Sequence, residues 1–179
     1  NSFHMVVVKA GDKGRFTVVD AMKEEVRLLQ GAGKFNLISG EAEERALVAL
    51  KRLKKVADGR GAPVRLVATS ALREASNSDA VRRRMEAETG LEVEIISGQE
   101  EARLTYMGVL SCLPVKERTV VMVDIGGGST EVLVGSQGRP LYATSLRLGH
   151  LRLWERFFGG AAPAAAADGG LAEEQVTDC

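Results

Sequence analysis

One stretch constrains the fold of this chain more than any other: Val120-Val121-Met122-Val123-Asp124-Ile125-Gly126-Gly127-Gly128-Ser129-Thr130-Glu131-Val132-Leu133-Val134. Its two apolar runs predict strands, and the glycines between them predict a reversing turn, so the segment must belong to a sheet. Three successive glycines let the backbone turn tightly and let several N–H groups approach one anion, where side chains would stand in the way. Asp124, at the carboxyl end of the first strand, and Glu131, in the returning strand, can both face such a ligand and hold Mg²⁺ between themselves and phosphate oxygens. A plain hairpin with a flexible tip accounts for the glycines alone. A structural turn, however, is usually satisfied by two residues and has no need of acids at both rims.

Any such anion site has to be local. Lys+Arg 24 against Asp+Glu 24 leaves a formal net charge of +0, so nothing global draws the chain to nucleic acid or to an anionic membrane. With 179 residues, 45% hydrophobic and 27% charged, the composition is that of a globular protein of one domain or two small ones. No apolar run reaches the length of a membrane span and no leader opens the chain. Cys112 and Cys179 fit neither a metal spacing nor a disulfide framework, which favours ordinary thiols and a cytoplasmic location.

The order of predicted elements suits an α/β fold. A strand over Asn1-Ser2-Phe3-His4-Met5-Val6-Val7-Val8 turns through Gly11-Asp12-Lys13-Gly14 into a second over residues 15–20, and a third extended run follows at Glu25-Val26-Arg27-Leu28. Ser39 is placed to cap a helix from Gly40 to about Ala57. A short buried strand over residues 64–68 then ends in Thr69-Ser70-Ala71-Leu72-Arg73. Asn77-Ser78-Asp79 caps a basic-faced helix that Gly90 stops, residues 91–96 form another strand, and Ser97-Gly98-Gln99-Glu100-Glu101 opens a helix to about Val109. Strands and helices alternating after a meander predict strand ends directed at one crevice.

Beyond the connector at residues 114–118 the pattern restarts. Aligning Asn1-Ser2-Phe3-His4 with Gly128-Ser129-Thr130-Glu131 superposes the serines, sets His4 where Glu131 stands, and brings Gly14-Arg15 and Gly138-Arg139 to the following turns, with three extra residues in the first copy's turn. The second copy continues into a helix from Gly149 to Phe158. The Ala/Gly/Pro-rich stretch after it predicts a low-complexity insertion over residues 159–179.

Four ordered motifs now carry a resemblance: Asn1-Ser2-Phe3-His4, Ala68-Thr69-Ser70-Ala71-Leu72-Arg73, Ile95-Ile96-Ser97-Gly98-Gln99-Glu100-Glu101-Ala102-Arg103-Leu104 and Asp124-Ile125-Gly126-Gly127-Gly128-Ser129-Thr130-Glu131. Together they resemble the exopolyphosphatase and guanosine pentaphosphate phosphohydrolase (Ppx/GppA) family over residues 1 to about 158. The resemblance implies the duplicated ribonuclease-H-like fold of the actin, sugar-kinase and hsp70 group, with a site between two domains. Residues 1–112 would form the first domain without the start of its first strand, and residues 119–158 the beginning of the second. In that family an acid and a glycine turn immediately precede Asn-Ser, and further strands and helices complete the second domain. The chain is therefore expected to be a fragment truncated at both ends, poorly active as it stands.

The resemblance also distributes roles. It places the family's catalytic glutamate at Glu101, as general base for a water attacking a terminal phosphoanhydride in line. Glu100 is the rival, and both acids also suit the positive end of a helix dipole. Arg73 offers phosphate a bidentate fork, or a surface ion pair to Glu74 or Glu100. Thr69 and Ser70 can donate hydroxyls to a phosphate chain, although turns and caps use the same residues. Asn1 and Ser2 would belong to the first phosphate loop, and Gly126, Gly127, Gly128 and Ser129 to the second. Arg103 is expected to be structural, His4 and His150 ordinary rim groups, and Arg82-Arg83-Arg84 a solvated helix face.

The activity so implied is release of terminal phosphate from inorganic polyphosphate, with guanosine pentaphosphate as the alternative substrate. The implied cofactor is Mg²⁺, alone or with a monovalent cation, and the full-length form is expected to be a homodimer. A non-catalytic phosphate or nucleotide sensor on the same fold would keep the glycine loops without needing Glu101.

Overall fold

The computed structural model describes residues 2–12, 16–29, 32 and 36–158, so Asn1 and the expected insertion over 159–179 lie outside the described residues. Contacts within the chain gather it into two compact units, with the division after Ile96.

The first unit opens with a hairpin of β1 (Ser2–Ala10) and β2 (Phe16–Glu25), antiparallel from Ser2↔Glu25 to Ala10↔Phe16. The third extended run expected at residues 25–28 is not a strand. β2 runs unbroken to Glu25, after which Arg27 takes a left-handed φ of 51°, and Val26 and Leu28 turn into the core at 1% and 4% exposure. Their alternation reflects two plugs in a loop, because burying them stabilises more than another rung of ladder would. Helix α1 (Gly40–Gly59) begins where Ser39 predicts, its Oγ accepting the N–H of Ala42 at 3.2 Å. The helix buries Ala42, Ala46, Leu47, Ala49 and Leu50 against Val26, Leu28 and Ile38.

A βαβ crossover follows. β3 (Leu66–Ala68) pairs in parallel with β4 (Val93–Ile95), and between them lie α2 (Ser70–Glu74) and α3 (Ser78–Thr89). Gly90, at φ 69°, stops α3 and donates its N–H to the Glu86 carbonyl. Asn77 precedes α3 without capping it through its side chain. Its amide instead accepts the N–H of Ile38 at 3.0 Å and donates to the Ile38 carbonyl at 2.9 Å, so it ties two loops together as a strand rung would.

The second unit contains α4 (Gly98–Cys112), the antiparallel sheet β5 (Thr119–Ile125), β6 (Thr130–Ser136), β7 (Arg139–Leu146), and α5 (His150–Phe158). Helix α4 packs on one face of this sheet, burying Ala102 and Tyr106 against Met122 and Leu133. On the opposite face Val121, Val123, Ile125 and Tyr142 are exposed.

The internal repeat is visible in the backbone. The register shifts between Val7 and Val8 in β1 and between Val134 and Gly135 in β6, which are equivalent positions in the alignment of Ser2 with Ser129. Only Gln137 and Gly138, both at positive φ, separate β6 from β7, whereas five residues separate β1 from β2, the three-residue excess seen in the sequence. Among the described residues no helix is long and apolar enough to cross a membrane.

Candidate functional site

Pairing of β5, β6 and β7 sets Asp124 opposite Glu131 and Glu131 opposite Ser145. Directly opposed residues project from one face with their Cβ atoms roughly 5 Å apart, so the three side chains form a polar row across the sheet. It continues the apolar row Met122, Leu133 and Ala143 on the face that α4 covers. Glu131 is only 2% exposed, and its Oε1 accepts the Ser145 hydroxyl at 2.7 Å. A buried carboxylate is costly unless paired, hydrogen-bonded or bound to a cation. Asp124 is half-buried and accepts the Thr105 hydroxyl of α4 at 3.4 Å.

That contact orients α4. Glu101 stands one turn before Thr105, on the same helix face, so the first turn of α4 brings Glu101 to the side of the helix that carries the Asp124 contact. Ser97 starts the helix by accepting the Glu100 N–H at 3.1 Å. Glu100 is gripped by Arg103 through two bonds of 2.7 and 2.8 Å, and this pairing raises the Arg103 guanidinium above its ordinary value.

The glycine turn is closed by the Gly126 N–H, which donates to the Ser129 carbonyl at 2.9 Å. Its three remaining carbonyls all face the first turn of α5. Gly126 accepts from the His150 N–H at 3.0 Å and from His150 Nδ1 at 2.9 Å. Gly127 accepts from the N–H groups of Leu151 and Arg152 at 3.0 and 3.3 Å, and Gly128 accepts from Arg152 Nε at 3.1 Å. All peptide bonds here are trans, so each unit points its N–H away from its carbonyl. The N–H groups of Gly127, Gly128 and Ser129 are therefore turned away from α5, and they have no acceptor among the described residues. Such a row of unused amides suits an anion.

The other expected site residues lie in the first unit. Thr69 immediately precedes α2, and Ser70 is buried with its hydroxyl 3.3 Å from Glu74 Oε1. Arg73 donates from Nη1 to the Ile96 carbonyl at 3.0 Å. Ser2 Oγ lies 3.0 Å from Nε2 of His4, and Asn1 is outside the described residues. Each residue of the Arg82–Arg84 run bonds nearby protein, Arg82 to Glu86, Arg83 to the Asp79 carbonyl and Arg84 to Glu43 and Glu44.

Two hard-oxygen carboxylates set across one strand pair fit Mg²⁺, which is commonly held by one or two protein carboxylates with waters and substrate phosphates completing its shell. No cluster of three or more metal-ligating side chains occurs among the described residues. Five residues of the arrangement, Thr105, Ser145, Gly149, His150 and Arg152, are given no site role by their sequence pattern. Thr105 has a signal in its helical spacing from Glu101, whereas the others depend on the register of β7 and the docking of α5.

A model of the Ppx/GppA phosphatase family matches residues 6–168. The chain is similar to an exopolyphosphatase from Cytophaga hutchinsonii, with 30% identity and a TM-score of 0.84 over 94% of this chain and 53% of that one. It is likewise similar to the Ppx/GppA family member of Aquifex aeolicus, with 28% identity and a TM-score of 0.77 over 99% of this chain and 55% of that one. It thus spans about half the length of these relatives. Its α/β architecture is the ribonuclease-H-like fold that the motifs imply, and the chain belongs to the Ppx/GppA phosphatase family.

Proposed function

We propose that this chain carries the phosphate-holding and water-activating elements of a phosphohydrolase that releases terminal phosphate from inorganic polyphosphate. The observation that carries the proposal is the glycine turn, whose Gly127, Gly128 and Ser129 amides are directed to one side beside the Asp124–Glu131 row. In hydrolysis of a phosphoanhydride the protein positions a water and relieves charge on the phosphoryl oxygens. The three amides donate to those oxygens. Asp124 and Glu131 are the residues that would hold Mg²⁺, which when bound offsets phosphate charge. Thr105 and Ser145 fix the two carboxylates through their hydroxyls.

Glu101 accepts the proton of the attacking water. Its assignment over Glu100 is supported by the fork with which Arg103 engages Glu100, and by the helix face that Glu101 shares with Thr105. Thr69, Ser70, Arg73, Asn1 and Ser2 are proposed as further phosphate ligands on the strength of the family motifs. Guanosine pentaphosphate offers the same terminal phosphoanhydride and is the second candidate substrate; the long form of the protein is proposed to act as a homodimer in the cytoplasm.

The test is phosphate release from long-chain polyphosphate and from guanosine pentaphosphate with Mg²⁺, using a chain of the relatives' full length. Glu101→Gln should lower kcat by about a hundredfold or more while polyphosphate still binds, because the amide keeps the shape of the side chain but cannot take the proton. Undiminished turnover in Glu101→Gln, with loss in Glu100→Gln, would transfer the role to Glu100. Undiminished turnover in both would remove this helix turn from the chemistry.

A further inference from the structure

We infer that the first turn of α5 is a clamp that sets the peptide orientation of the glycine turn, with Gly149 as its point of closest approach and His150 and Arg152 as positioning residues. The inference rests on the proposed phosphate role of that turn and adds residues to which the family motifs assign nothing. A glycine-rich turn has no intrinsic preference for one orientation of its peptide planes, because without Cβ atoms both hands of φ are accessible. Something outside the turn must choose, or the amides would be presented in several arrangements and the ordering would have to be supplied when the ligand binds.

The α5 contacts make that choice. Bonds from the N–H groups of His150, Leu151 and Arg152 and from the side chains of His150 and Arg152 hold all three carbonyls from Gly126 to Gly128 on one side. The Gly126 carbonyl can only accept, so His150 Nδ1 carries the proton. The Thr130 hydroxyl donates to the Leu148 carbonyl and so ties the segment ahead of α5 to β6. Gly149 is buried at the contact, and a Cβ built there would lie 2.5 Å from the Gly128 nitrogen and closer still to the Gly127 carbonyl. Those are backbone atoms, so a side chain at residue 149 has to displace the turn itself. The clamp also occupies the amides at the start of α5 with loop carbonyls, which leaves the anion to the amides of the turn.

The test uses the ¹⁵N-labelled 179-residue chain, with and without tripolyphosphate and Mg²⁺. In the unliganded protein Gly149→Ala should move the Gly127, Gly128 and Ser129 amide resonances while those of β1 to β4 stay in place. On titration His150→Leu should bind tripolyphosphate about ten- to a hundredfold more weakly than wild type, the effect of disordering one donor to a charged group. His150→Asn, whose Nδ2 can stand where Nδ1 stands, should recover most of the loss. His150 is exposed, so these two variants carry the test even if Gly149→Ala does not fold. Equal tripolyphosphate affinity in wild type and His150→Leu, or unmoved turn resonances in folded Gly149→Ala, overturns the clamp. A wild-type turn that ignores tripolyphosphate, in a protein whose unliganded Gly149→Ala resonances do move, refutes the phosphate role instead and takes with it the clamp's part in recognition.

Discussion

Gly135→Ala should be among the most destabilising single-methyl changes in the second unit, and its cost should vanish when the residue it strikes is shortened. Gly135 is buried in β6, and the Tyr106 ring of α4 lies where its Cβ would be, with Oη, Cζ and Cε1 all at 3.0 Å or less. Ordinary contact begins near 3.4 Å, so ring and strand must separate by about 1 Å. The ring cannot swing aside easily, because Tyr106 is 1% exposed and wedged among Ala102, Met122 and Leu133. Overpacking of this kind costs about 1–3 kcal/mol, and the rigid surroundings put the expectation near the upper end. Tyr106→Leu alone leaves a cavity and should cost about 2–3 kcal/mol. Leucine lacks the three atoms that clash, and the methyl added at residue 135 then fills part of the vacated space. The double variant should therefore be about as stable as Tyr106→Leu alone, a favourable coupling equal to the cost of Gly135→Ala, about 3 kcal/mol. Tyr106→Phe is a control with its own sign: the buried Oη has no partner among the described residues, so removing it should be neutral or stabilise by up to about 1 kcal/mol. Urea unfolding followed by the single tryptophan, Trp154, reports on this unit. Additivity of Gly135→Ala and Tyr106→Leu within about 0.5 kcal/mol would show that α4 does not pack on β6 through this pair.

Two further outcomes are expected. In a chain of the relatives' full length, Asp124→Asn and Glu131→Gln should each lower Mg²⁺-dependent phosphate release by about a hundredfold or more without unfolding the sheet, since the amide oxygen that replaces the Glu131 carboxylate can still accept the Ser145 hydroxyl; full turnover in both variants would withdraw the metal assignment. In the first unit the Val93 N–H, with help from Arg82 and against partial burial, holds the Glu86 carboxyl below its ordinary value of 4.5. A depressed carboxylate contributes stability that is fully present above the unfolded value and is lost as pH falls through the folded one, so Glu86→Gln should flatten the acid limb of the stability curve below about pH 4.5. An unchanged acid limb, measured by urea midpoints between pH 6 and 3, would show that the bond to Val93 does not survive in solution.

What the sequence made legible was whatever its signals settle locally. Ser39 and Ser97 each accept the N–H three residues on, and both helices start where those caps predict. The Asp124–Glu131 hairpin was legible for a similar reason, since two apolar runs around a short turn leave one register. The misses are non-local. Val26 and Leu28 alternate as a strand would, yet an open place in the core below them decided their fate. Asn77 looks like a cap and serves as a bridge to Ile38, a partner 39 residues away that no local pattern announces. The clamp on the glycine turn spans 24 residues and depends on where α5 docks, so the three glycines suggested an anion loop without showing what orients it.

The duplication separates scaffold from chemistry. Both hairpins carry a register shift at the same repeat position, so the turn lengths diverged while the bulge that twists each ribbon stayed. The residues that matter for a phosphate site did not stay alike. In the second hairpin Glu131 is buried, faces Asp124 on one side and accepts the Ser145 hydroxyl on the other. At the equivalent place in the first, His4 is exposed, pairs in register with Lys23 and lies within hydrogen-bond distance of the Ser2 hydroxyl. An imidazole set against an ammonium cannot hold a hard cation, whereas a carboxylate pair can. On this physical ground the His4–Lys23 pair is a poor place for a cation, which supports the proposal that Asp124 of β5 and Glu131 of β6 are the residues that would hold one.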